Sequence, residues 1–220
     1  MLKIKAFLCF FIITISFTVF SQEDNEQIKF RIGIEKNSSG TYTNIIDFDN
    51  NIKMKSTDSF RFFIDIKSES YLYLFLIDSC SEINLIFPDN FSVFSQKDYF
   101  YSKYILPDEE NWFSFDDNDG VEEFILLVSN ERLTELEKIS KKYLQESSKD
   151  NPNTNKLNDY KIRVIEEIGI VKRDNSKFSV IAEKPVSTAG TTKGAIDFES
   201  YNLLEVTATN FYAKTIKIER

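Results

Sequence analysis

Histidine is absent from all 220 residues. With it go Ser-His-Asp and Cys-His nucleophile systems, His-bearing zinc sites and HExxH proteases. Cysteine is nearly as scarce, with only Cys9 and Cys80. Cys9 sits in an N-terminal apolar run expected to be removed, so the processed chain holds one thiol and neither an intrachain disulfide nor a thiolate metal cluster. Cys80 reads as an ordinary small residue in a turn. Six glycines and four prolines are scattered, and neither GxGxxG nor GxxxxGK[ST] occurs. A glycine-rich phosphate cradle is therefore excluded. Positive charge is short as well: 27 basic residues face 35 acidic ones, a formal balance of −8. An acidic surface repels phosphate backbones, so no nucleic-acid partner is expected.

Apolar and aromatic residues are plentiful, at 42% and 15%, with 21 phenylalanines. That is enough to build a core without cross-links. The first segment, MLKIKAFLCFFIITISFTVFSQEDNEQ, places two lysines before an apolar run, then small Ser21, then acids. This is the layout of a secretory signal peptide over residues 1–21, cleaved after Ser21. The chain is thus expected to be exported, to a bacterial periplasm, an outer surface or the medium, and to touch a membrane only through that segment if it is left uncleaved. Processing leaves about 200 residues, the size of one β-sandwich domain, and a formal charge of about −10.

Period-two alternation marks the strands. QIKFRIGIE over 27–35 alternates Ile28, Phe30, Ile32 and Ile34 with polar residues or glycine, and SFRFFIDI over 59–66 alternates Phe60, Phe62, Ile64 and Ile66 with Arg61, Phe63 and Asp65. YLYLFLI over 71–77 does not alternate. A strand that is apolar on both sides needs cover on both faces, from an opposed sheet and from a helix, loop or partner. INLIF over 83–87 reads as its hairpin partner, ended by Pro88. VEEFILLVS over 121–129 is another strand, its centre apolar on both faces. The period then changes: Leu133, Leu136, Ile139 and Tyr143 make residues 131–145 an amphipathic helix, with Ser129 or Asn130 as candidate caps.

Residues 146–158, ESSKDNPNTNKLN, read as a linker or long loop. Residues 159–220 read as further strands that complete the same domain, among them 160–171, 177–183, 195–204 and the tail FYAKTIKIE. The expected fold is mainly β: an antiparallel β-sandwich over residues 22–145 and the C-terminal strands, with one amphipathic helix after the core strands.

The order of these pieces resembles the bacterial family catalogued as domain of unknown function 4384. The residues carrying the likeness are Phe60 to Ile66, Tyr71-Leu72-Tyr73-Leu74-Phe75, Asp78, Leu85-Ile86-Phe87-Pro88-Asp89-Asn90, Ile105-Leu106-Pro107, and Gly120-Val121-Glu122-Glu123-Phe124-Ile125 through Ser129. It spans about Lys53 to Leu144. Where the family usually has glycine after the turn aspartate, this chain has Ser79-Cys80-Ser81. The resemblance implies an extracytoplasmic β-sandwich and brings no catalytic residues with it.

Carboxylates and aromatics remain as candidates for function. Asp116, Asp117 and Asp119, close to Gly120, offer hard oxygen ligands of the kind Ca²⁺ takes, although the EF-hand spacing fails: with Gly120 at position six, Phe115 and Leu126 fall where ligands belong. No other cofactor is expected. Phe91, Phe94, Tyr99, Tyr101 and Tyr104 form an aromatic-rich stretch that either packs a connection onto the sheets or offers a binding platform. The small-residue loop over 184–193 reads as a hairpin tip. The expected function is a non-catalytic binding or scaffold domain for an envelope protein or a cell-wall glycan. The alternative is a carboxylate-dependent enzyme acting on glycans, which would need two acids across a cleft.

Overall fold

The computed structural model describes residues 27–115, 120–187 and 201–220. The expected leader, the three candidate calcium ligands Asp116, Asp117 and Asp119, and most of the 184–193 loop lie outside the described residues. Strands β1 (Gln27–Ser38), β2 (Thr41–Ile45), β3 (Ile52–Lys53), β4 (Ser59–Ile66), β5 (Tyr71–Ile77) and β6 (Ile83–Phe87) lead to a 3₁₀ turn at Phe91–Ser95. Then come β7 (Lys103–Leu106), β8 (Phe113–Ser114) and β9 (Val121–Ser129). Helices α1 (Thr134–Ser147) and α2 (Thr154–Ser176) precede β10 (Ile181–Ser187), β11 (Asn202–Thr209) and β12 (Phe211–Glu219).

The described residues are mainly β, in two sheets. One is antiparallel, in the order β10-β11-β1-β4-β7, with β2 added to β1 and β8 to β4. The other runs β3-β12-β9-β5-β6 and is antiparallel except for the short parallel pair of β3 with β12. Alternation decides what each face does. Ile28, Phe30, Ile32 and Ile34 of β1 stand in register with Ile64 and Ile66 of β4 and Leu204, Val206 and Ala208 of β11, all buried. They meet the other sheet in one shared core, where Phe30 lies 5.3 Å from Tyr212 and Phe62 lies 5.0 Å from Phe124, measured between ring centroids.

The opposite face of the first sheet carries two cross-strand rows. Lys184, Glu205, Arg31, Asp65 and Lys103 follow one another across five strands, with charge alternating at every step. Beside them run Val186, Leu203, Gly33, Phe63 and Ile105, with Leu203 packed on Gly33 just past the end of the β1–β11 pairing. Further along, Arg61 donates to Glu35 Oε2 from Nε at 2.9 Å, and its guanidinium lies 4.3 Å from the Trp112 ring centre.

β5 has neighbours on both sides, β9 and β6, and cover on both faces. Leu72, Leu74 and Leu76 share the inner face with Val128, Leu126 and Phe124 of β9. Tyr71 and Tyr73 point the other way, against the rings of Phe91, Phe94, Tyr99 and Phe100 and the start of α1. Burial of each such side chain contributes about 1.5–3 kcal/mol, so this strand is a principal source of stability.

Among the described residues two helices are present where one was expected. Of the polar run over 146–158, expected as a linker or long loop, residues 148–153 connect the two helices and the ends lie in α1 and α2: Glu146 Oε1 accepts from Asn153 N–H at 2.9 Å, and Asn153 Oδ1 caps α2 by accepting from Lys156 N–H at 3.1 Å. Residues 160–171, expected as a strand, lie inside α2. Its buried side chains Val164, Ile168 and Val171 keep helical spacing, while Ile162 and Ile170, which gave the segment its strand-like alternation, are exposed. Helix α2 lies along α1 and against β12, where Lys172 Nζ donates to Thr215 Oγ1 at 3.0 Å.

A candidate binding groove beside helix α1

Helix α1 begins without a side-chain cap of its own, contrary to the expectation for Ser129 or Asn130. Ser129 Oγ accepts from Glu131 N–H at 3.2 Å, ahead of the helix. The helix start is tied instead to β5. Tyr73 Oη accepts from Leu133 N–H at 3.0 Å and donates to Glu137 Oε1 at 2.8 Å. One phenol thus satisfies the N–H of the residue that opens the helix, as the acidic side chain of a capping box does, and also fixes the Glu137 side chain in the first turn. Burial pushes the Tyr73 phenol far above its usual range, and the neighbouring Glu137 carboxylate adds to the effect. It stays protonated and keeps donating. Arg132 donates from Nε and Nη2 to the same carboxylate, and its guanidinium sits 5.5 Å from the Phe94 ring centre. The pairing with Glu137 raises the Arg132 pKa, so its positive charge is committed to that partner.

Across from α1, Asn90 Oδ1 accepts from Ser92 N–H at 3.0 Å and caps the 3₁₀ turn Phe91–Ser95. The turn and the C-terminal half of α1 enclose an open groove of about 750 Å³, within the range of small-ligand and peptide sites. Phe91 and Leu144 make its apolar floor. Its walls are hydroxyl and amide groups from Asn90, Ser92, Ser95, Gln145, Ser147 and Ser148, and its charged residues are Asp89, Arg132 and Lys141. Lys141 Nζ stands 5.4 Å from the Phe91 ring centre.

The five aromatic candidates do not form one platform. Phe91, Phe94 and Tyr99 are buried, with Phe94 and Tyr99 edge to face at 4.9 Å. Tyr99 Oη accepts from Leu72 N–H at 2.8 Å, on the part of β5 that lies beyond the end of β6. Tyr104 is half-buried, donates to Tyr99 O at 3.1 Å and lies 4.7 Å from Phe87. Tyr101 is 63% exposed and stands apart, beside Gln27, Ser68 and Glu69. Only Phe91 reaches the groove. The helix residues Lys141, Leu144 and Gln145 were not foreseen as site residues. The one signal for them is Leu144, an apolar residue beside Tyr143 and off the core-facing stripe.

A smaller crevice of about 190 Å³ brings Asp78 and Glu122 near Phe60, Phe113, Phe115 and Phe124. Asp78 Oδ1 is engaged in its own turn, accepting from Cys80 N–H at 2.9 Å and Glu82 N–H at 2.8 Å. Among the described residues no group of three or more His, Cys, Asp or Glu could hold a metal ion, and no helix is long and apolar enough to cross a membrane.

Residues 53–132 match the family model described as Domain of unknown function (DUF4384). This segment is a domain of that family. It takes in β4 to β9, and therefore the doubly covered strand, the 3₁₀ turn and Arg132, whereas the α1 wall of the groove lies beyond the match. No curated protein and no solved structure matches the chain.

Proposed function

We propose that the chain is an exported, non-catalytic binding module whose partner is an envelope protein or a cell-wall glycan. Its two sheets are read as the layers of a β-sandwich. The observation that carries the proposal is the groove beside α1: a built concavity with an apolar floor and a hydroxyl- and amide-rich wall, the usual make-up of a recognition site. Its lining includes one carboxylate, Asp89, where glycoside hydrolysis calls for a facing pair. A chain without histidine has few other routes to acid–base chemistry near neutral pH. The N-terminal segment supports export, by the reasoning given for its sequence.

Two measurements test this. Expression of the full chain with its own leader, followed by fractionation and N-terminal sequencing, should recover protein outside the cytoplasm that begins at Gln22. Intact chain retained in the cytosol would overturn the export half. Assay of the purified mature chain on a panel of polysaccharides and peptidoglycan should show no turnover. Sustained turnover that disappears in Asp78→Asn or Glu122→Gln would replace the module with an enzyme.

A further inference from the structure

The groove's charges are unevenly committed. Arg132 is held by Glu137, while among the described residues neither Lys141 nor Asp89 has an oppositely charged side chain within ion-pair distance. The groove therefore presents one uncompensated cation and one uncompensated anion between walls of hydroxyls and amides. The aromatic face in the groove on which a sugar ring would stack, that of Phe91, is occupied by Lys141 at 5.4 Å. Glycan recognition by stacking would first have to displace that cation. A peptide needs no aromatic face. Its backbone amides match the Ser92, Ser95 and Gln145 groups, an apolar side chain fits over Leu144, and side chains of both signs satisfy Lys141 and Asp89.

From this we infer that the groove takes an extended peptide segment of a partner protein carrying one acidic and one basic residue, the acid pairing with Lys141 and the base with Asp89. The inference rests on the binding-module reading and narrows it to one chemistry. Charge complementarity at a partly exposed site supplies specificity more than affinity and weakens as salt shortens the screening length from about 8 Å at 0.15 M to about 3 Å at 1 M.

The test uses the mature chain and a panel of fluorescein-labelled hexapeptides in which Glu and Lys flank one to four intervening Leu and Ser residues. Binding is followed by anisotropy and by backbone amide shifts. At least one spacing should saturate and shift Ser92, Ser95, Gln145 and Ser148. Its affinity should fall at least tenfold in Lys141→Glu and in Asp89→Lys, less in Lys141→Gln, and fall again at 1 M salt. Thermal melts identify any variant that has lost its fold, and Lys141→Gln, which changes charge with little change in bulk, serves in its place. The inference is overturned if no spacing saturates, if both charge reversals bind as the parent does, or if chito-oligosaccharides shift these same amides and the peptides do not. A partner protein cross-linked equally well by the parent chain and by Lys141→Glu would sink the groove while leaving the binding module intact.

Discussion

Replacing Tyr73 with Phe isolates the link between the β core and the groove. The substitution keeps the ring, and with it the edge-to-face contact with Phe94 at 5.2 Å, while deleting the one oxygen that bonds both Leu133 N–H and Glu137. A hydrogen bond to a charged group is worth about 1.5–3 kcal/mol and a neutral one about 0.5–1.5 kcal/mol, and a buried partner left unpaired adds to the loss. Glu137 is only 3% exposed, so water does not readily replace the phenol, although Arg132 still holds the carboxylate. The expected loss is about 2–4 kcal/mol, because the two bonds share one donor–acceptor and do not add fully. Urea melts should show a lower midpoint with an unchanged slope, since the surface exposed on unfolding is the same. Amide exchange should quicken first in the opening turns of α1. A Glu137→Gln cycle should return a coupling energy above about 1 kcal/mol. A loss under about 0.5 kcal/mol, or unaltered protection in α1, would show that packing alone seats the helix.

Tyr99→Phe removes the acceptor of Leu72 N–H and should cost about 1–3 kcal/mol, with Leu72 standing out in amide exchange; uniform acceleration across β5 would contradict the local account. Gly120→Ala would bring its Cβ to 2.6 Å from Ser79 Cβ, a contact that no side-chain rotation relieves. It should cost about 1–3 kcal/mol in chemical denaturation, and Ser79→Gly in the same chain should restore most of that loss. Burial opposes ionisation of Asp58, but hydrogen bonds from Lys36 Nζ at 2.8 Å and Lys55 N–H at 2.8 Å prevail and lower its pKa from 3.8 to about 2. A depressed carboxylate stabilises the fold above the unfolded-state value and loses that contribution as pH falls from about 4 towards 2. Stability against pH should therefore be flatter over that window in Asp58→Asn than in the parent, as urea melts at stepped pH will show.

Strands were legible where one face is wet or where apolar density is extreme. The span 59–66 alternates, 71–77 and the centre of 121–129 are apolar throughout, and all three fall at their expected places. Helix α2 was not legible. Ile162, Val164, Ile168 and Ile170 imitate period two, and β-branched residues favour strands, yet the side chains that meet the core are Val164, Ile168 and Val171. Tertiary cover, not local preference, chose the period. Of the candidate site, Phe91 could be singled out as an aromatic, but its companions come from α1, about 50 residues further along the chain. The cap on α1 was illegible for the same reason: its acceptor is a phenol on a strand 60 residues away.

Strand alternation has a blind spot. Sliding a strand by two positions restores every side chain to its proper side, so polarity alone cannot distinguish the true alignment from its even-numbered neighbours. The ionic row running from Lys184 to Lys103 removes that ambiguity, because moving β4 two places one way sets Lys67 opposite Arg31, and moving it the other way sets Phe63 there. Either misalignment forfeits an attraction, and the first replaces it with repulsion. Those five residues amount to a checksum on the assembly of the sheet.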